Sequence, residues 1–443
     1  MSDGALHWRR QLQGITALYS FLWLLAANIV GLWLAALLVW PALGNLMGEF
    51  TYGRWMPLHM DWQLYGWCSL PLVGALMGYF MSPSNGNDTA EAHLGFLGWS
   101  VALAVGGMLS LNGVVSGKLF LNWAGVGRIL FPTAQILLWA ILVRSSYARG
   151  LRIRRFDTKQ WCQLGLLLLL FISPISLLWA SGAAVYPPID PESGGATGHS
   201  LLASSLGIIF IFGVLPKFLG VSPLSRARRW IRVYAIAYVA SITAWALLDH
   251  GNASNTQIGQ VLGLCVLLLW VPILIAYFNS FSWSKGMRMW VTAFLFWWAF
   301  LTVSGCISFL PGVLDLMKFT NGLVAHAHLA MAGMLGALNL LILGSLGRVE
   351  ASDPWADRLS FWCWQVGTLL YVLAMLGQGV REGLDPTVLF GQNDLTSVLY
   401  AVRLFAGGAL VFANLRWIFL LEGMRRACRQ YLEGSVGEVG YEC

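Results

Sequence analysis

The chain has 443 residues, 58% of them hydrophobic and only 11% charged, which excludes an ordinary soluble domain and indicates a polytopic helical membrane protein. The formal net charge of +7 is then a topology signal and not a nucleic-acid footprint. Seven scattered cysteines form no C-x-x-C or C-x-x-C-H, which excludes a cysteine zinc site and a covalently attached c-type haem.

Apolar runs predict twelve spans, at 15–42, 56–82, 94–114, 127–147, 161–183, 198–220, 230–250, 258–281, 288–311, 319–346, 360–381 and 396–421. The connections are short, so the expectation is an all-α bundle forming a single transmembrane domain over 1–443. Arg9 and Arg10 precede an apolar run too long for a signal-peptide core, so no cleaved signal is expected. A cytoplasmic N-terminus puts most of the basic residues inside. These include the run from Arg144 to Lys159, the group Lys217, Arg226, Arg228, Arg229 and Arg232, and the pair Arg425 and Arg426. Outside remain Arg54, Lys118, Arg128, Lys318, Arg381 and Arg403. This bias satisfies the positive-inside rule and places both termini in the cytoplasm.

In this topology five histidines fall in the outer part of the membrane. His59 lies near the start of the second span and His199 at the start of the sixth. Asp249 and His250 lie at the outer end of the seventh. His326 and His328 lie in the tenth, seven to nine residues from its start, or roughly 10–13 Å deep. At about 100° per residue, His326 and His328 occupy nearly opposite faces of one helix, so that helix offers an imidazole to each of two neighbouring sites. His7 and His93 fall in cytoplasmic segments and read as ordinary surface residues.

Imidazoles without thiolates favour haem iron, copper or non-haem iron, the alternative being interhelical hydrogen bonds. His-x-His on one helix with a histidine on another can ligate two macrocycles, one six-coordinate and one five-coordinate. His199, Asp249 and His250 then bring two imidazoles and a carboxylate to the open face, a ligand set that suits non-haem iron. The plainer reading of Asp249 is a solvated acid at a helix end.

Several segments resemble the haem–copper oxidase superfamily, subunit I, and within it the C-type oxygen reductases and nitric oxide reductases. PLH at 57–59 is similar to the start of the family's second helix, and GHSLLASSLGIIFIFGVLPK at 198–217 to its sixth. WALLDH at 245–250 falls where the seventh helix carries a His–His pair. HAHLAMAG at 326–333 matches the tenth helix, and YAVRLFAGGALVFANL at 400–415 is similar to the last. The resemblance implies two haem b groups. His59 and His328 would be the axial ligands of the low-spin haem, and His326 the proximal ligand of the high-spin one. His199 and His250 would hold a second metal, iron or copper, with Asp249 in the place of the other histidine. Arg381 and Arg403 are candidate haem propionate partners, or else simple interfacial charges.

Two departures bear on the substrate. The tyrosine of the oxygen reductases would lie at Ala203 in the sixth-helix version or near Thr243 in the C-type version, and Tyr238 is about 18 Å along the helix from His250. A carboxylate at Asp249 is the second. Reduction of NO to N2O needs two metals but no tyrosyl radical, so the balance favours NO over oxygen. A non-catalytic haem b electron-transfer subunit is the reading from another class. Electrons would come from a second subunit or soluble donor, a cytochrome c or cupredoxin, on the outer side of a bacterial inner membrane.

Overall fold

The computed structural model describes residues 3–81, 88–153, 158–347, 353–389 and 394–434. Seventeen α-helices follow in chain order. They are α1 (Asp3–Val39), α2 (Tyr52–Asp61), α3 (Leu70–Phe80), α4 (Asp88–Leu111), α5 (Gly127–Ile153) and α6 (Thr158–Leu170). Next come α7 (Ile172–Ala180), α8 (Gly198–Phe218), α9 (Ala227–Ala246), α10 (Ile258–Cys265), α11 (Trp270–Phe278) and α12 (Arg288–Ser308). The series ends with α13 (Val313–Met317), α14 (Asn321–His328), α15 (Gly336–Leu346), α16 (Arg358–Leu384) and α17 (Asp394–Gly434). The one two-stranded sheet among the described residues pairs β1 (Ser222–Pro223) antiparallel with β2 (Phe281–Ser282).

Ten helical stretches are long and apolar enough to cross a membrane among the described residues. They correspond to ten of the twelve predicted spans. The other two, 56–82 and 230–250, are helical but different in kind. The first is divided into α2, a π-helical segment at Trp62–Trp67, and α3. The second is α9, which carries Arg228, Arg229 and Arg232 in its first turns. Prolines account for two further breaks. Pro174 cannot donate to Leu170 O, and α6 gives way to α7 there; Pro272 likewise follows the 3-10 turn Val266–Leu269. Of the residues expected on the cytoplasmic side, Arg154, Arg155 and Arg348 lie outside the described residues, as do the side chains of His7, Arg149, Arg152, Lys159, Arg425, Arg426 and Arg429.

The chain divides into two compact units. The first comprises Met1–Val185, Asn339–Cys363 and Gly408–Cys443. Its core includes Leu12, Leu70, Phe96, Leu103 and Phe131, with Trp123 stacked on Phe131 at 4.4 Å. Polar ties run through it. Gln13 Nε2 donates to Leu343 O, Asn339 Nδ2 donates to Trp67 O, and Arg10 pairs with the buried Asp353 at 3.0 Å. Arg416 pairs with Asp357 through two bonds of 2.7 and 3.0 Å. His93 is half-buried in this unit, edge-on to Tyr19, and is not the open surface residue expected.

The second unit comprises Tyr186–Leu338 and Trp364–Gly407. Its core is rich in tryptophan, with Trp270, Trp290 and Trp297 fully buried. Three tyrosines run along one face of α8. Tyr238 donates to Leu206 O at 3.3 Å, Tyr234 to Ile209 O, and Tyr277 to Gly213 O at 2.5 Å. Tyr238 is thereby committed to the backbone of α8.

Candidate metal centre

Seven of the eight predicted site residues belong to the second unit and lie on five segments. His199 sits in the first turn of α8. Thr197 caps that turn, its hydroxyl accepting from Ser200 N at 3.2 Å. A Cβ on Gly198 would run into Gln260 O, so only glycine allows the start of α8 to sit this close to α10. Gln260 is 1% exposed and ties two site segments together. Its Oε1 accepts from His199 N at 2.8 Å, and its Nε2 donates to Asp249 O at 3.2 Å. Nothing in the sequence distinguished this glutamine, because its role depends on contacts 61 and 11 residues away along the chain.

His199 and His250 come together. Their ring centroids are 4.0 Å apart with planes tilted by 38°. Trp245, the first residue of WALLDH, stacks on His199 at 5.1 Å and 20°, and also faces His250 at 5.1 Å. Both ring nitrogens of His199 are buried and make no hydrogen bond among the described residues. A buried imidazole with no protein partner for its lone pair is costly unless something else uses that lone pair, and a metal ion does so. The pair therefore fits a metal as a two-nitrogen donor set.

Asp249 behaves differently from the two imidazoles. It is exposed, and its Oδ1 accepts from Gly251 N at 2.9 Å, closing a turn at the end of α9. Among the described residues, Gly251 N is the one donor to its carboxylate. Among the described residues no three His, Cys, Asp or Glu side chains converge as a ready metal cluster. The expected His–Asp–His set is thus present as a histidine pair with an acid turned to its own loop. Thr243, at the expected tyrosine position, donates to Val239 O at 3.0 Å and offers no phenol.

His326 and His328 point to different neighbours, as their spacing predicts. Opposite His326 is Gly305 of α12, whose added Cβ would lie 3.2 Å from His326 Cε1. His328 instead stacks on Tyr371 of α16 at 4.1 Å, and its Nδ1 bonds Val324 O at 2.8 Å. A carbonyl can only accept, so that bond puts the proton on Nδ1 and the lone pair on Nε2. Directly after His328 the helix widens into a π segment, Leu329–Leu335. Glu382 holds the start of α14: it is 2% exposed and accepts from Asn321 N at 2.7 Å and from Asn321 Nδ2 at 2.6 Å. Arg403 is 7% exposed, donates to Asn321 Oδ1 at 3.3 Å, and lies 5.3 Å from the Tyr371 ring centre. Its Nε is buried without a partner among the described residues. Arg381 donates to Gln378 and Thr396. Neither arginine is in a salt bridge among the described residues, so both are suited to an external anion.

His59 belongs to the first unit. Its Nδ1 bonds Ala27 O at 2.8 Å, which again puts the lone pair on Nε2. The ring packs directly on Gly31 of α1, where a Cβ would stand 2.6 Å from His59 Cε1. Three residues beyond His59 the π segment Trp62–Trp67 begins. The helices that carry His59 and His328 therefore share one local feature, and π segments occur frequently at functional sites. Sequence periodicity did not reveal either one.

Comparison with known proteins bears on this arrangement. The chain is 22% identical to the "Cbb3-type cytochrome c oxidase subunit CcoN1" of Stutzerimonas stutzeri, over 90% of this chain and 91% of that protein. It is 21% identical to the "Cytochrome c oxidase subunit 1 homolog, bacteroid" of Bradyrhizobium diazoefficiens, covering 82% and 70% respectively. For the "Cytochrome c oxidase subunit 1 homolog" of Azorhizobium caulinodans the identity is 20%, covering 86% and 74%. The profile of the family "Cytochrome C and Quinol oxidase polypeptide I" matches residues 13–410, most of the chain, and the chain belongs to that family, the haem–copper oxidoreductase subunit I of respiratory membranes.

Proposed function

We propose that this subunit reduces a small gas at a high-spin haem b beside a non-haem metal, and that the gas is NO. His59 and His328 would each supply an imidazole to a low-spin haem b, and His326 would supply one to the high-spin haem b. His199 and His250 hold the second metal, iron or copper, with Asp249 contributing its second carboxylate oxygen. Arg381 and Arg403 take haem propionates. The observation that carries the reading is the close His199–His250 pair with both His199 nitrogens buried and unbonded.

Two NO molecules, two electrons and two protons give N2O and water. When bound, the haem and its partner metal supply the electrons and hold the gas. The chain's own residues do the rest. Trp245 and Gln260 hold the pair in place, Asp249 carries a carboxylate beside it, and neither Ala203 nor Thr243 provides a hydrogen-atom donor. A four-electron reduction of oxygen calls for such a donor; a two-electron coupling of NO does not. The second reading, oxygen reduction, is favoured by the cytochrome c oxidase names of the relatives. Electrons enter from a partner subunit or a soluble cytochrome c or cupredoxin on the outer side of the inner membrane, where the centre lies.

The test is anaerobic turnover of the purified protein with a reduced donor, with N2O measured by gas chromatography, beside oxygen uptake in a parallel cell. N2O formation at a rate well above oxygen uptake supports the proposal. Oxygen uptake without N2O assigns the oxidase reading. Haem with no second metal by elemental analysis, and no turnover of either gas, makes the chain a non-catalytic electron carrier.

A further inference from the structure

Remote from His250, the start of α9 carries Arg226, Arg228, Arg229 and Arg232. Two of these are committed to the protein. Arg226 donates to Asn279 O at 2.6 Å, and Arg229 lies 5.8 Å from the centre of the Trp230 ring. Arg228 and Arg232 are exposed, stand one helical turn apart, and line an open groove of about 630 Å³. The other walls include Pro223, Leu224, Ser225 and Ile231, and no carboxylate lines it. Leu224 and Ile231 are 41% and 46% exposed. The wall opposite the arginines is fixed, because β1 pairs with β2 and Leu224 N donates to Ser280 O at 2.9 Å.

We propose that this groove binds the headgroup of an anionic phospholipid, its phosphate on the two guanidiniums and its acyl chain over Leu224 and Ile231. The planar fork of arginine matches phosphate oxygens, and basic residues at a membrane surface attract anionic lipid. The exposed apolar wall is what separates a lipid from a free phosphate ion, which has nothing to place there. The groove is independent of the haem and metal assignment.

The experiment uses the full chain in mild detergent, incubated with an equimolar mixture of phosphatidylglycerol and phosphatidylcholine of the same acyl chains, with bound lipids counted by native mass spectrometry. Phosphatidylglycerol should be retained selectively. Each arginine near an anionic headgroup is worth roughly fivefold, so R228Q/R232Q should weaken retention about 30-fold, and R226Q/R229Q should change it little. R232E alone, at an exposed position, should also release the lipid. Equal retention of both lipids overturns the proposal, as does unchanged retention in R228Q/R232Q or an equal loss in R226Q/R229Q. Displacement of the lipid by millimolar inorganic phosphate, with phosphate bound in its place, makes it a free-phosphate site and overturns the lipid assignment.

Discussion

Gly31→Ala tests how closely α1 holds His59. The new methyl would stand 2.6 Å from Cε1, 3.0 Å from Nδ1 and 3.3 Å from Nε2 of that ring. Carbon atoms in good contact lie about 3.5–4.0 Å apart, so the ring must withdraw by about 1 Å. That movement breaks the 2.8 Å bond from Nδ1 to Ala27 O, a loss of about 1 kcal/mol. Overpacking adds about 1–3 kcal/mol, and the better helix propensity of alanine returns about 0.5–1 kcal/mol. The net expectation is a destabilisation of about 1–3 kcal/mol. Gly14 lies on the same helix, and a Cβ there meets nothing within 4 Å, so Gly14→Ala should be neutral or slightly stabilising. Thermal unfolding followed by circular dichroism in detergent compares the two variants directly. On the proposed haem ligation, Gly31→Ala should also lose the low-spin absorption band while Gly14→Ala keeps it. Equal melting temperatures and equal spectra for the two variants would refute the argument from close contact.

Other expectations follow from the same geometry. Gln260→Ala removes the bonds to His199 N and Asp249 O and should lower second-metal affinity about 10–100-fold with helix content unchanged, measured as metal per chain after dialysis against a chelator. Trp245→Phe should keep the second metal, because a ring still backs His199 and His250, whereas Trp245→Ala should lose it; equal metal content in both variants would remove Trp245 from the positioning role. Burial opposes the charge of Asp357, but the bonds from Arg416 and Ser360 prevail and hold its carboxyl at about 2. A depressed carboxyl stabilises the fold above its unfolded value near 3.9, and that contribution fades as pH falls through about 2. Melting temperatures measured from pH 5 to pH 2 should therefore drop less steeply in Arg416→Gln than in the wild type.

Most of the architecture was legible because it rests on local composition. Long apolar runs predict helices that cross a lipid bilayer, and ten of the twelve stretches satisfy that criterion directly. His326 and His328 were legible as a pair on opposite faces, and Gly305 and Tyr371 indeed meet them on different helices. The supporting residues were not legible. Gln260, Trp245 and Glu382 matter through partners distant in the chain or through ring stacking, and neither leaves a periodic trace. Asp249 shows another limit: its residue type suggests a ligand, but its bond to Gly251 N is set by the local turn. The π segments escaped for a related reason, since hydrophobic periodicity cannot register one added residue inside a uniformly apolar run.

The π segment after His59 acts as a phase shifter. An extra residue in an ordinary α-helix would rotate everything beyond it by about 100°. Widening one turn absorbs that residue instead, so the stretches on either side keep independent settings. Before the segment, His59 is set against Ala27 and Gly31 of α1. After it, Gly74 of α3 is set against Thr16 of the same α1 so closely that a Cβ could not fit. Deleting one residue from Trp62–Trp67 would restore a plain helix and swing one of these contacts off α1. The constrained quantity over this stretch is therefore its residue count. Substitutions there can be absorbed by repacking, but a change of length cannot, because no side chain adjustment restores the angle between His59 and Gly74.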